Sequence, residues 1–441
     1  MPSLPCLPPS TIISLPSTDP HMRIAIIGAG AAGCFAAANI MRMLPSAEVT
    51  VFESGTKPLA KVAVTGGGRC NLTNSFRGVK SVESVYPRGH RLMKRLLKEF
   101  SHEDAYRWFE EAGVRLLTQD DECVFPVSQD AMQIVNTLLS MMRSQGVTVL
   151  TNHRASSIAV ADGGGYDIMF TNGRGHHADC VVVTTGGSPR ISGLSMLSPL
   201  GLDIVPPIPS LFSLSLGNDT ITRLTGTVVE DVSVSIPGTR MKASGPLLIT
   251  HWGLSAPSVL KLSSYAARWL ADHDYRASIS INWFGDTNEV AVASLLSEMS
   301  AANPQKQLHS VFPRRFNSRL WLFLLDRCSM RPDMRWAEIG SKALKRMSAM
   351  LTNDIHEVYG RSRTKDEFVT CGGIALSNVN PSTLECRRHP GLYFAGEVLD
   401  VDAVTGGFNL QAAWTMGYVV AKSISQVESS PVLRRLWPTQ E

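Results

Sequence analysis

The chain has 441 residues, a net charge of +4 and ordinary apolar, aromatic and charged fractions, which suits a globular protein of two or three domains. No stretch reaches the roughly 18 apolar residues of a membrane span; the best candidate, Leu320–Leu325, is short and flanked by Arg319 and Arg327. Eight cysteines without a CxxC pair argue against a disulfide scaffold or a metal site and for reduced thiols in a cytoplasm.

Residues 1–21 carry six prolines and neither Lys nor Arg, so they read as a disordered tail rather than a secretory or mitochondrial leader. The pattern restarts at Met22, a candidate true start. From there "RIAIIGAGAAGCFAAANIMRM" predicts a buried parallel strand, a tight turn and a helix. Gly28, Gly30 and Gly33, with Ala32 beside them, form G-x-G-x-x-G. The first glycine permits the turn, the second admits a pyrophosphate and the third lets helix and strand pack closely. The helix N-terminus then faces the phosphates. A second strand, "AEVTVFE", ends in Glu53, 20 residues past Gly33, where an acid binds a ribose hydroxyl. These features predict a dinucleotide and leave FAD and NAD open.

The next segment favours FAD. "SGTKPLAKVAVTGGGRCNLTN" replaces a direct path to the next helix with a Gly-rich excursion, which in FAD enzymes lies along the flavin. Amides of Gly67 and Gly68 suit the pyrophosphate or the ring, and Lys61 and Arg69 suit negative charge on phosphate or reduced flavin. Cys70 has three readings: a redox thiol, an acid near flavin N5, or an inert packing residue.

"GVTVLTNHRASSIAV" predicts a strand and its continuation, with Ala155 near the adenine, and "VADGGGYDIMF" (160–170) a hairpin loop. "ADCVVVTTGG" (178–187) reads as a return strand of the same sheet, bringing Gly187 to the cofactor. In "GLYFAGEVLDVDAVTGGFNLQAAWTMGYVVAKSI" (391–424) a short strand ends in Gly396 and Glu397. A loop with Gly406 and Gly407 then opens a helix near Asn409, whose amides suit the flavin N1–C2=O edge.

Basic residues cluster at Arg88, Arg91, Lys94, Arg95 and Lys98, at Arg314 and Arg315, and at Arg361, Arg363 and Lys365. They are solvated faces or the footprint of a polyanion; Phe312, Phe316 and Trp321 beside Arg314 and Arg315 form the candidate RNA track. His251 in "ITHWGLS" is placed on a loop after an apolar strand, beside Trp252 and a turn-forming Gly253. It is a candidate proton donor or a pin for that loop.

The segments "GGGRCNLTN", "VFPVSQDAM", "GPLLITHWGLSAPSVLKLS" and "GLYFAGEVLDVDAVTGGFNLQAAWTMG" resemble the BaiN/YhiN family of flavoprotein oxidoreductases, over about residues 22–425. The resemblance implies an α/β fold: a discontinuous, Rossmann-like (glutathione-reductase-like) FAD-binding domain with an inserted β-barrel plus helical domain. On this chain that predicts FAD-binding parts at 22–190 and 367–425, an insert at 191–366, and a C-terminal tail at 426–441. By motif match it adds Asn71 and Leu410 to the cofactor contacts, together with Asn409. It also implies FAD with NAD(P)H as transient reductant, and substrates that are conjugated carbonyl compounds or uracil of ribosomal RNA. The chain departs from the family at Leu59-Ala60 and Glu122-Cys123, where Gly-Arg is usual, in the shorter Gly-rich continuation after Gly187, and at Ala256, where glycine is usual.

The expected reaction is reduction of an activated C=C bond. Hydride passes from flavin N5 to the β-carbon, a donor holds the enolate oxygen and an acid protonates the α-carbon. Arg69, Cys70 and His251 are the candidates for the last two tasks, the insert being expected to cover the flavin. With no second G-x-G-x-x-G unit, the nicotinamide must visit and leave, which predicts ping-pong kinetics. The alternatives are a flavoenzyme forming dihydrouridine in ribosomal RNA and a non-catalytic FAD-binding redox sensor.

Overall fold

The computed structural model describes residues 21–188, 190–361 and 369–428. The expected tails, apart from His21 and residues 426–428, lie outside them, as do Arg363 and Lys365. The chain folds as two units, one running up to Pro207 and resuming at Val369, the other formed by Ile208–Phe368. The division falls later than the expected boundary at 191. Residues 191–207 stay with the first unit, where Asn378 Nδ2 donates to Asp203 O and His389 Nε2 lies 2.8 Å from Leu200 O. The last helix, Phe408–Glu428, runs three residues past the expected domain end.

The first unit is built on a five-stranded parallel sheet, in the order Leu392–Phe394, Cys180–Val183, Arg23–Ile27, Glu48–Phe52, Thr148–Leu150. The three middle strands are almost wholly buried, as unbroken apolar runs of a parallel sheet require. The helix Ala31–Met43 follows the first strand and packs along Phe408–Glu428. Small residues allow this: a Cβ on Gly417 would lie 2.8 Å from Ala32 O and 3.2 Å from Ala36 N. Phe35, Trp108, Phe109 and Trp414 fill the space beyond with tilted and edge-to-face ring contacts.

"GVTVLTNHRASSIAV" is not one continued strand. Thr148–Leu150 belongs to the parallel sheet, and Ala155–Val160 starts a separate antiparallel sheet with Tyr166–Phe170 and Gly175–Ala178. The chain turns between them because Asn152 is left-handed (φ 57°) and the amides of Asn152 and His153 bond Gly55 O and Glu53 O. The hairpin at 161–165 is as predicted.

The second unit contains an antiparallel sheet whose edge strands, Asp354–Val358 and Gly360–Arg361, are separated only by Tyr359. The first pairs with Ala277–Asn282 and the second with Leu214–Ser215. The sheet therefore closes on itself as a small barrel, which removes its open edges. Val232, Val234, Leu247, Ile249, Leu254, Ile279 and Ile281 fill it. Helices Glu289–Ala302, Ser318–Arg327 and Ser341–Thr352 form the helical part.

Two sequence expectations fail here for the same reason. Phe316 and Trp321 are 4% and 1% exposed, stacked in the core with Phe312 packed against them, so they offer no platform for bases. Arg315 is engaged by Asp231 and lies 4.9 Å over Phe284. An aromatic beside an arginine marks nucleic acid only if its ring faces out; these rings are what the helical part is built on.

Ala256 adopts φ 78° and ψ 174°, just before Pro257 opens the helix Pro257–Tyr265. That region belongs almost solely to glycine and costs about 1–3 kcal/mol for other residues, which explains the glycine usual here in the family. Ala256→Gly is expected to stabilise the protein by about 1 kcal/mol after the entropy cost of glycine, read as a higher melting temperature.

Candidate functional site

The glycine-rich turn separates into structural glycines and one of another kind. Gly28 has φ 113°, and a Cβ there would lie 2.5 Å from Thr184 O; a Cβ on Gly33 would strike Gly28 O. Both are required by the fold itself. Gly30 has φ −84°, open to any residue, and a Cβ there meets no described atom within 4 Å. The space beside it is left by the chain and not used by the chain. Ala32 is buried and packs toward Gly396. Glu53 closes the mouth of the turn: Oε2 accepts from Ala29 N at 3.0 Å and Oε1 from Gly55 N at 2.7 Å. Ala155 begins its strand two residues after His153, whose amide bonds Glu53 O.

The predicted excursion is a short helix, Ala60–Gly68, broken at Thr65, followed by left-handed Gly66, Gly67 and Gly68 (φ 57°, 69° and 84°). Gly66 is the member the sequence reading passed over; its Cβ would sit 2.8 Å from Asn71 N. Gly67 and Gly68 face open space among the described residues. Arg69 is held by donation to Gly66 O (3.1 Å) and Gln129 Oε1 (3.4 Å), with its guanidinium 4.4 Å from the centre of the Phe125 ring. Cys70 is fully buried, and burial pushes its thiol up to about 12. It is therefore a thiol, not a thiolate, at neutral pH.

The residues after Cys70 meet the start of the last helix. Trp414 Nε1 donates to Leu72 O (2.9 Å), Thr73 Oγ1 to Gln411 Oε1 (2.6 Å) and Asn74 Nδ2 to Gly406 O (3.1 Å). A Cβ on Gly407 would collide with Thr73 O. Asn409 bonds both backbone groups of Ala403 at 2.9 Å and fixes the loop. Leu410 lies in the first turn, ahead of the first intrahelical bond, Gln411 N to Gly407 O, so the opening amides are free of the helix ladder. Asn71 Oδ1 is buried beside this turn without a hydrogen-bond partner among the described residues. Arg88, expected in a solvated cluster, instead forms a buried ion pair with Asp402 and holds the loop from below.

A third group joins them. Glu397 Oε1 accepts from Thr370 N at 2.7 Å, and Oε2 lies 3.8 Å from Lys61 Nζ. A Cβ on Gly187 would strike the Glu397 carboxyl. In the first unit the fold thus gathers Gly28–Gly33 with Glu53 and Ala155, Lys61 with Gly187, Gly396 and Glu397, and Gly67–Asn71 with Asn409 and Leu410. His251 belongs to the second unit. It is exposed, at the hairpin turn between Lys242–Ile249 and Gly253–Ser255. Thr250 closes that turn through its bonds to Gly253, so His251 is not the pin. Gly253 lies inside a strand, where a Cβ would strike Leu214 O.

These residues fit FAD. The open space at Gly30 and the buried Asn71 acceptor, unpartnered among the described residues, leave room for such a group.

Residues 22–423 match the HI0933-like protein Rossmann domain family, and the chain belongs to that family. The flavoprotein oxidoreductases that its motifs resemble are thus its relatives. Over 415 residues it is 25% identical to a 3-dehydro-bile acid delta(4,6)-reductase of Clostridium scindens, covering 92% of this chain and 99% of the relative. Over 422 residues it is 29% identical to a ribosomal RNA dihydrouridine synthase of Escherichia coli K12, covering 92% and 98%. Among solved structures it aligns with a 3-ketosteroid-delta4-(5alpha)-dehydrogenase of Rhodococcus jostii RHA1, with 13% identity, a TM-score of 0.48, and coverage of 92% and 98%. No helix among the described residues is long and apolar enough to cross a membrane.

Proposed function

We propose that this chain is an FAD-dependent reductase of a C=C bond conjugated to a carbonyl. The observation that carries the reading is that glycine-lined turns far apart in the chain meet one another: Gly396 lies against Ala32, Gly187 against Glu397 and Gly407 against Asn71 and Thr73. Bound FAD supplies the hydride chemistry. The turn at Gly28, Gly30 and Gly33 receives the pyrophosphate, and Glu53 a ribose hydroxyl. Lys61 and Glu397, with Gly187 behind them, hold the middle of the cofactor. Amides of Gly67, Gly68, Asn409 and Leu410 and the side chain of Asn71 hold the ring end, where the helix N-terminus favours negative charge. Arg69, fixed over Phe125, is the cation placed for an enolate oxygen. Cys70 stays protonated and packs. NAD(P)H is the reductant. The two curated relatives support the reading because both names describe saturation of a carbon–carbon double bond. A reduced, cytoplasmic setting suits seven buried cysteines that form no disulfide among the described residues.

A second reading has the same chemistry on uracil in ribosomal RNA, as the Escherichia coli relative's name says of that protein. Two measurements decide. NADH or NADPH should bleach the bound flavin, and either an enone or RNA should restore its colour with ping-pong kinetics. Mass spectrometry of ribosomal RNA from a deletion strain should lack one dihydrouridine if the substrate is RNA. A flavin that no nicotinamide reduces, or kinetics that require a ternary complex, would overturn the reductase scheme.

A further inference from the structure

Residues 289–352 hold ten Lys and Arg against five Asp and Glu, an excess of five in a chain whose net charge is +4. The helical part of the second unit is therefore one of two cationic stretches of the chain, the other being residues 77–98 of the first unit. Within it, helix Ser341–Thr352 turns Met347, Ser348 and Leu351 into the core. Lys342, Lys345 and Arg346, spaced i, i+3 and i+4, share the opposite face and are exposed. Lys306 and Arg335 belong to the adjoining segments. Trp336 N donates to Lys306 O at 3.0 Å, and Gln307 and Arg335 pair as a β-bridge. The guanidinium of Arg335 donates to neutral Gln305. None of these five cations pairs with a carboxylate among the described residues, whereas Arg315, Arg327 and Arg331 in the same part all do.

We propose that this face docks the sugar-phosphate backbone of RNA; the inference rests on the RNA reading of the active site. The charges lie on an exposed helix stripe without carboxylates to neutralise them. The nearby aromatics Phe312, Phe316 and Trp321 are committed to packing. A surface of cations without stacking rings reads phosphates and not bases. It supplies affinity and orientation, and leaves selection of the uracil to the flavin site.

The test measures binding of the full-length holoprotein to ribosomal RNA purified from the deletion strain, across a salt series. K342A/K345A/R346A keeps good helix formers on an exposed face, so fold and flavin content stay as in wild type. Loss of three phosphate contacts should lower the log–log salt slope by about two to three and weaken binding about 100-fold near 0.1 M salt. R91A/K94A/K98A tests the other exposed cationic stretch, in the first unit: it should leave the slope unchanged, and a loss of binding by this variant and not by the first overturns the docking face. Dihydrouridine formation at limiting RNA should fall with the first variant, while bleaching by NAD(P)H should not. Wild-type binding retained by K342A/K345A/R346A overturns the docking face alone. A wild-type protein that neither binds RNA nor forms dihydrouridine overturns the RNA reading and the docking face together.

Discussion

Gly30→Val is expected to give an apoprotein that folds nearly as well as wild type and a holoprotein that does not form. The two outcomes separate because of where the missing side chain points. Gly30 caps the helix Ala31–Met43 with φ −84° and ψ −167°, an extended conformation that valine accepts, and its Cβ would touch no described atom. The cost to the apoprotein is the weaker cap, about 1 kcal/mol. The space taken is that in which the proposed pyrophosphate would lie against the backbone amides, and a branched side chain would hold the two apart. FAD affinity should drop by about 100-fold, or ~2.8 kcal/mol, read as loss of the yellow colour on gel filtration and loss of the FAD-dependent rise in melting temperature. Gly28→Ala is the contrast: its Cβ meets Thr184 O at 2.5 Å from a left-handed backbone, so the apoprotein itself should be destabilised. If Gly30→Val binds FAD like wild type, the open space at the turn has another purpose and the site assignment fails.

The contrast between these glycines also shows what the sequence could reveal. Strand, turn and helix at residues 23–43 are legible because their causes are local: an apolar run, a spacing of glycines and an alanine-rich segment. The same holds for the last strand–loop–helix. What was not legible depends on partners far along the chain. Gly66 matters because Asn71 N folds back on it, and nothing in "TGGGRC" distinguishes it from Gly67 or Gly68. Arg88 sits among solvated basic residues in sequence, yet Asp402, 314 positions away, draws it inside. Phe316 and Trp321 carry no mark of burial beside Arg314 and Arg315. Ala256 is the reverse case: family comparison exposes the substitution, but only the backbone angles explain why glycine is usual there.

The least legible feature is also the one with the largest expected effect on stability. His356 is fully buried in the strand that closes the barrel, and its neighbours come from three other segments. Nδ1 lies 2.7 Å from Asp219 Oδ2, and Nε2 lies 3.1 Å from Asp354 Oδ2, within ion-pair reach though off the line of a hydrogen bond. Arg327 Nε donates to Asp354 Oδ1 at 3.1 Å and Trp283 Nε1 to Asp354 Oδ2 at 3.0 Å. Burial opposes a charged imidazole, but the hydrogen bond to Asp219 and the negative charges of Asp354 and Asp219 outweigh it and raise the pKa from 6.5 to about 9. A group whose folded pKa lies above its unfolded value stabilises the fold fully below the unfolded pKa. That contribution, ~3 kcal/mol, is lost as pH rises from 6.5 through about 9. Urea denaturation of the wild type should therefore show stability declining between neutral pH and pH 9.5 by most of that amount, about 2 kcal/mol. His356→Ala should lose about 3 kcal/mol at neutral pH, because it leaves the buried Asp354 with Arg327 alone and the partly exposed Asp219 without its cation. The variant should also lose the slope on the alkaline side, since the titrating group is gone. A variant as stable as wild type, or one that keeps the alkaline decline, would mean that His356 is neutral in the fold and that the barrel is closed by its strand pairing and apolar filling alone.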